Sequence, residues 1–160
     1  MANSLPSQAD WYASLPTVYV SASMLLTDAA GRMLIVKPNY RPDWSIPGGI
    51  VEHGEAPHDG VTREIAEELG LDRPAGDLLV VDWVPPEGDR PRAIINYLFD
   101  GGSVDGQVTI RLQEEELDDA QFFTWAEAQA RMPVHMAARV PAARQARQQG
   151  RTVYLPGRHG

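Results

Sequence analysis

Residues 49–71 read GIVEHGEAPHDGVTREIAEELGL, and this stretch decides the fold. Its second half predicts a helix over residues 57–69. Pro57 suits a first helical turn, and Gly70 ends the helix as a C′ glycine does. Val61, Ile65 and Leu69 recur at i, i+4, i+8 and supply one apolar stripe. Glu64, Glu67 and Glu68 fall at i, i+3, i+4 and share another face. At about 100° per residue, their mean direction lies about 105° from the stripe. Three like charges at this spacing weaken an isolated helix by a few tenths of a kcal/mol per pair. A solvated acidic face is the ordinary reading of such a run, yet it does not explain why the acids cluster instead of meeting Lys at i+4. A divalent cation does. Carboxylates are hard oxygen donors that suit Mg²⁺ or Mn²⁺.

The same stretch matches the spacing G-x5-E-x7-R-E-U-x-E-E-x-G-U, with U aliphatic, at Gly49, Glu55, Arg63, Glu64, Ile65, Glu67, Glu68, Gly70 and Leu71. In this it resembles the Nudix hydrolase family, and the preceding Pro47-Gly48-Gly49 resembles that family's lead-in. The resemblance implies an α/β (α+β) fold, an α/β/α sandwich with a mixed β-sheet between helices. It implies metal ligation by Glu64, Glu67, Glu68 and the Gly49 carbonyl, and a structural pairing of Arg63 with Glu55. It also implies Mg²⁺-dependent hydrolysis of a nucleoside diphosphate linked to a moiety X. The general base of the family varies between a box glutamate, here Glu64 or Glu67, and a loop glutamate. Residues 113–119 (QEEELDD), followed by Phe122-Phe123, resemble that acidic loop, with Glu116 as first choice and Glu115 as second.

Outward from the box, residues 17–27 and 33–37 read as a strand hairpin around the turn 28–32. A polar loop, 38–43, leads to a short strand at 44–49 that the Pro-Gly-Gly run breaks. Strands are expected at 78–84, 93–99, 108–112 and 121–124, with a turn at 101–106. A helix is expected at 125–131, and a second over 134–149, kinked or split at Pro141. Residues 153–155 form a short apolar tail. Residues 1–16 read as a leader whose Trp11 and Tyr12 dock on the body, and residues 17–160 as one domain ending in an Arg-rich helical segment. Tyr40, Arg41 and Trp44 border the loop before the box and are the candidates for substrate contact. Trp83 and Tyr97 lie in strands and read as core; Arg90 and Arg92 read as surface residues within reach of a terminal phosphate.

The 160 residues carry 22 acids against 14 Lys plus Arg, a net charge of -8, which argues against bulk electrostatic binding of nucleic acid. All 22 acids lie at or before Glu127, whereas the last 33 residues hold 6 Arg and no acid. Eleven of the acids sit in two runs, 52–68 and 114–119, so the region would meet an anionic substrate with its cation in place. The absence of cysteine excludes thiol chemistry and Cys-ligated metals and suits the cytoplasm. No apolar run reaches the roughly 20 residues of a membrane span. The expected partner is a small nucleotide; the oligomeric state is left open, a homodimer included. Two readings from other classes stay open: a non-catalytic nucleotide sensor, and an RNA 5′-end pyrophosphohydrolase using Arg139, Arg144, Arg147 and Arg151. Pro86, 15 residues past the box, resembles ADP-ribose-type members, and a triphosphatase acting on oxidised nucleotides fits the size equally.

Overall fold

The computed structural model describes residues 7–106 and 108–157; residues 1–6 of the leader, Gln107 and residues 158–160 lie outside the described residues. In chain order the elements are α1 (Gln8–Ser14), β1 (Tyr19–Thr27), β2 (Met33–Pro38), β3 (Gly48–Ile50), α2 (Pro57–Leu69), β4 (Leu78–Val84) and β5 (Ile94–Ser103). They continue with β6 (Leu117–Phe123), α3 (Trp125–Arg131), α4 (Val134–Ala137), α5 (Arg139–Gln149) and β7 (Val153–Leu155). The strands form one mixed sheet in the order β6-β2-β1-β5-β4-β7, with β3 paired to β1. β1 runs antiparallel to β2 and β3 and parallel to β5.

Strand alternation gives the sheet two apolar faces. Met24, Leu26, Leu34 and Val36 pack with Val61, Ile65 and Leu69 of α2. Leu25, Met33 and Ile35 point the other way and pack with Ala128 of α3 and Val140, Ala142, Ala143 and Ala146 of α5. The sheet thus lies between helices. Val61, Ile65 and Leu69 are fully buried, each contributing about 1.5–3 kcal/mol relative to exposure. That burial fixes how far α2 is rotated, and hence where its glutamates point. Among the described residues no helix is long and apolar enough to cross a membrane.

Several expectations change. The strand near the box is Gly48–Ile50, with only a bridge from Ser45 to Val36 before it. The glycines do not break it; they make it. Gly48 has φ +138°, and a Cβ there would collide with the Ala22 carbonyl on β1. β5 runs on through residues 101–103, where the sequence predicts a turn, because Ser103 still pairs with Thr27. Residues 108–112 form no strand: Arg111 N–H donates to the Leu69 carbonyl (2.9 Å) and Gln113 N–H to the Glu68 carbonyl (3.1 Å), so this stretch caps the end of α2. β6 begins four residues earlier than expected, inside the acidic run. The 134–149 helix divides at Ala138 instead of Pro141. Pro141 falls in the first turn of α5, where its missing N–H has no intrahelical partner to lose. In the leader, α1 starts at a Ser7–Asp10 capping box, and Trp11 and Tyr12, 50% and 59% exposed, contact each other edge-on at 4.9 Å.

Candidate functional site

The three glutamates of α2 share a helix face but not an environment. Glu67 is half exposed. Glu64 is largely buried, with its carboxylate against Gly49; a Cβ at Gly49 would lie 2.5 Å from it. Glu68 is buried, contrary to the expectation of three carboxylates on one open face, and accepts from the Gly48 N–H at 2.9 Å. The Gly48-Gly49 pair is what lets the backbone come this close to two carboxylates.

Electrostatics tie a third segment to this edge. Burial pushes the Glu68 carboxyl up to about 8; the Gly48 N–H works against the shift, and the charges of Glu64 and Glu116 add to it. Burial likewise raises Glu64, Arg63 opposes, and Glu67 and Glu116 add. Glu116 thus lies close enough to repel both helix acids. Its place is set by the chain: Asn39 N–H donates to the Glu116 carbonyl (2.9 Å), and Asn39 Nδ2 to the Glu115 carbonyl (2.8 Å).

Arg63 holds the box loop. Its Nε and Nη2 donate to the two Glu55 carboxylate oxygens at 2.9 and 3.1 Å, while Nη1 reaches Glu64 (3.0 Å) and Glu67 (2.9 Å). The two-pronged contact holds the Glu55 carboxyl below its usual range. Glu55 also accepts from the Glu52 N–H at 2.9 Å, which closes the loop between β3 and α2. Among the described residues no three acidic or histidine side chains already converge on one point, since the Arg63 guanidinium spans Glu64 and Glu67. The donor chemistry nevertheless fits a hard divalent cation: three carboxylates from two segments repel one another beside a glycine backbone.

Beside this edge, on the α4 and α5 face of the sheet, lies a cavity of about 270 Å³. Ser21, Ser23 and Asn96 line it, and they belong to a polar row that crosses three strands, since Ser21 pairs with Asn96 and Asn96 with Asp82 in register. Asn96 Nδ2 donates to Ser21 Oγ (2.9 Å), and Ser23 Oγ donates to Asn96 Oδ1 (3.0 Å). Arg139 of α5, buried, donates to Asp82 at 2.6 Å. Sequence reading missed Ser21, Ser23, Asp82 and Asn96, and named Arg139 only for a basic strip. Their signal was present as polar side chains at alternate positions of β1 and single polar residues within the apolar β4 and β5.

Tyr40 and Arg41 line the cavity; Trp44 does not, but packs edge-on against Phe123 at 5.2 Å. Arg90 lines it as well, whereas Arg92 lies over Tyr19 on another surface. Tyr97 packs with the α2 core, as expected. Among the described residues, two of the C-terminal arginines are committed to carboxylates of the sheet. Arg139 pairs with Asp82, and Arg147 grips both oxygens of Asp100.

Known proteins resemble the chain in sequence and fold. A MutT-like protein of Streptomyces ambofaciens is 35% identical over 65 residues, 41% of this chain and 42% of that protein. A putative 8-oxo-dGTP diphosphatase of Bacillus subtilis is 30% identical over 86 residues, 54% of each. The chain thus spans about two-fifths to half the length of these curated relatives. The crystal structure of a MutT protein from Methanosarcina mazei Go1 superposes with a TM-score of 0.71 at 22% identity, over 84% of this chain and 99% of that one, a likeness of fold. The NUDIX domain model matches residues 18–144, which include the box, the Gly48-Gly49 strand and the acidic run; the chain belongs to the NUDIX domain family.

Proposed function

We propose that the chain hydrolyses the phosphoanhydride bond of a nucleoside diphosphate linked to a moiety X, releasing a nucleoside monophosphate and phosphorylated X. The observation that carries this reading is the buried Glu68, held on the Gly48 N–H and repelled by Glu64 and Glu116. A buried carboxylate among like charges is costly unless something cationic compensates it. Glu64, Glu67 and Glu68, with the Gly49 carbonyl, would hold Mg²⁺ or Mn²⁺. A bound divalent cation neutralises phosphate charge and lowers the pKa of water.

The remaining work falls to the chain's own side chains. Glu116 takes the proton of the attacking water as its oxygen bonds to phosphorus and the bridging P–O bond breaks. Arg63 and Glu55 keep the box loop in register, so that Gly49 stays against Glu64. The cavity bearing Tyr40 and Arg41 receives one arm of the substrate. A screen of dinucleotides, sugar nucleotides, nucleoside triphosphates and capped RNA with Mg²⁺, read by product identity, tests this. Monophosphate release from at least one nucleoside diphosphate derivative is expected. Nucleotide binding without release of monophosphate or any other cleavage product under any divalent metal would instead identify a sensor.

A further inference from the structure

We propose that the cavity beside Gly48 is a subsite for a second oxyanion, a phosphate monoester carried by X away from the scissile bond; as a specificity element this rests on the hydrolase reading above. The cavity wall is rich in donors and cations. Arg41, Arg90 and Arg139 come from three separate segments. Arg139 is matched by Asp82. The Arg90 guanidinium donates through Nη1 to the carbonyls of Val84 and Arg92, at 3.3 and 3.2 Å. Arg41 Nε is enclosed and has no hydrogen-bond partner. Among the described residues no carboxylate lies within ion-pair distance of Arg41 or Arg90, so neither guanidinium is held in a contact ion pair. A phosphate monoester carries about -1.5 to -2 at neutral pH and accepts on three oxygens, and guanidinium forks suit it geometrically.

A nucleobase fits this wall less well. The one ring of stacking size, Tyr40, is 72% exposed, whereas base recognition draws on enclosed aromatic faces. At about 270 Å³ the cavity lies below the roughly 300–1,000 Å³ typical of pockets enclosing drug-sized ligands, so it suits a small phosphorylated group. The rim residue His135 registers the same field. Loss of solvent, then the charges of Arg139, Arg90 and Arg41, hold its imidazole below the ordinary value, with Glu87 opposing. Arg41 also acts favourably on the Glu68 charge, so it stands between the acidic edge and the cavity, where the two ends of one substrate would meet.

The test titrates the metal-free full chain with inorganic phosphate and follows the His135 imidazole resonances by NMR. A saturable shift is expected, with the imidazole's protonation midpoint moving upward as the anion binds. Arg41→Gln should weaken binding at least tenfold, and Arg90→Gln gives the same readout should Arg41→Gln fail to fold. No His135 response, or affinity unchanged in a folded variant, overturns the subsite. In a second arm with Mg²⁺, nucleoside diphosphate sugars with and without a phosphate on the sugar are compared. A kcat/KM preference of tenfold or more for the phosphorylated member, lost in Arg41→Gln, supports the assignment; equal values overturn it as a specificity element. Should no compound of the wider nucleotide screen turn over while phosphate still moves His135, the hydrolase reading fails and the anion subsite stands.

Discussion

Replacing Asp82 by Asn tests whether the sheet and α5 are joined by a buried ion pair. Asp82 is fully buried in β4, and the Arg139 side chain is 5% exposed, with Nε 2.6 Å from the carboxylate. Asn keeps the shape but leaves a buried guanidinium facing a neutral amide. Removing one member of a buried pair costs about 3–5 kcal/mol, because the surviving charge is uncompensated. At about 2–4 °C per kcal/mol for a chain of this size, the melting temperature should fall by roughly 6–20 °C. Replacing both members with apolar residues of similar volume, Asp82→Leu with Arg139→Met, should recover most of that loss, since desolvation of both charges then disappears. Urea and thermal unfolding followed by circular dichroism read both numbers. A single-variant loss under about 1 kcal/mol, or a double variant as unstable as the single, would refute the reasoning.

Gly48→Ala should lower the unfolding midpoint markedly and disrupt the Gly48–Glu68 contact, since the new Cβ meets the Ala22 carbonyl at φ +138°; wild-type stability would remove the close-approach argument. Glu116→Ala should cut kcat steeply at saturating Mg²⁺, and a loss under about threefold would move the base elsewhere. Arg147→Gln breaks a partly exposed two-pronged contact with Asp100; a loss of about 1 kcal/mol is expected, and one above about 3 kcal/mol in urea unfolding would show the pair to be buried in solution.

The helix of the box was legible to the residue, because the 3.6-residue apolar period, the early proline and the terminal glycine are all local signals. The burial of Glu68 was not. It depends on Gly48 arriving from 20 positions away to offer an N–H. The same distance misled the reading of Gly48-Gly49 as a breaker: the rule for glycine pairs describes an isolated strand, and here β1 demands the close approach. Val108, Ile110 and Leu112 alternate as a strand does, yet the N–H groups of Arg111 and Gln113 go to the end of α2 and not to a neighbouring strand. The cavity joins residues from β1, β3, β4, β5, α4, α5 and the loops between them, which no single periodicity links. Tyr40 and Arg41 beside the box, and the polar residues set into apolar strands, were its only local signals.

The central claim is that the α2 carboxylates serve a cation-dependent phosphoanhydride hydrolysis. The direct measurement is nucleoside monophosphate release with Mg²⁺ by the Glu67→Gln, Glu68→Gln double variant, beside the wild type and the wild type with chelator. The amide oxygen that replaces the Glu68 carboxylate can still accept from the Gly48 N–H, and removing a buried charge does not burden the fold. The account predicts that turnover is lost in both the variant and the chelated wild type while the variant keeps its unfolding midpoint. A folded variant that releases nucleoside monophosphate at the wild-type rate would contradict it.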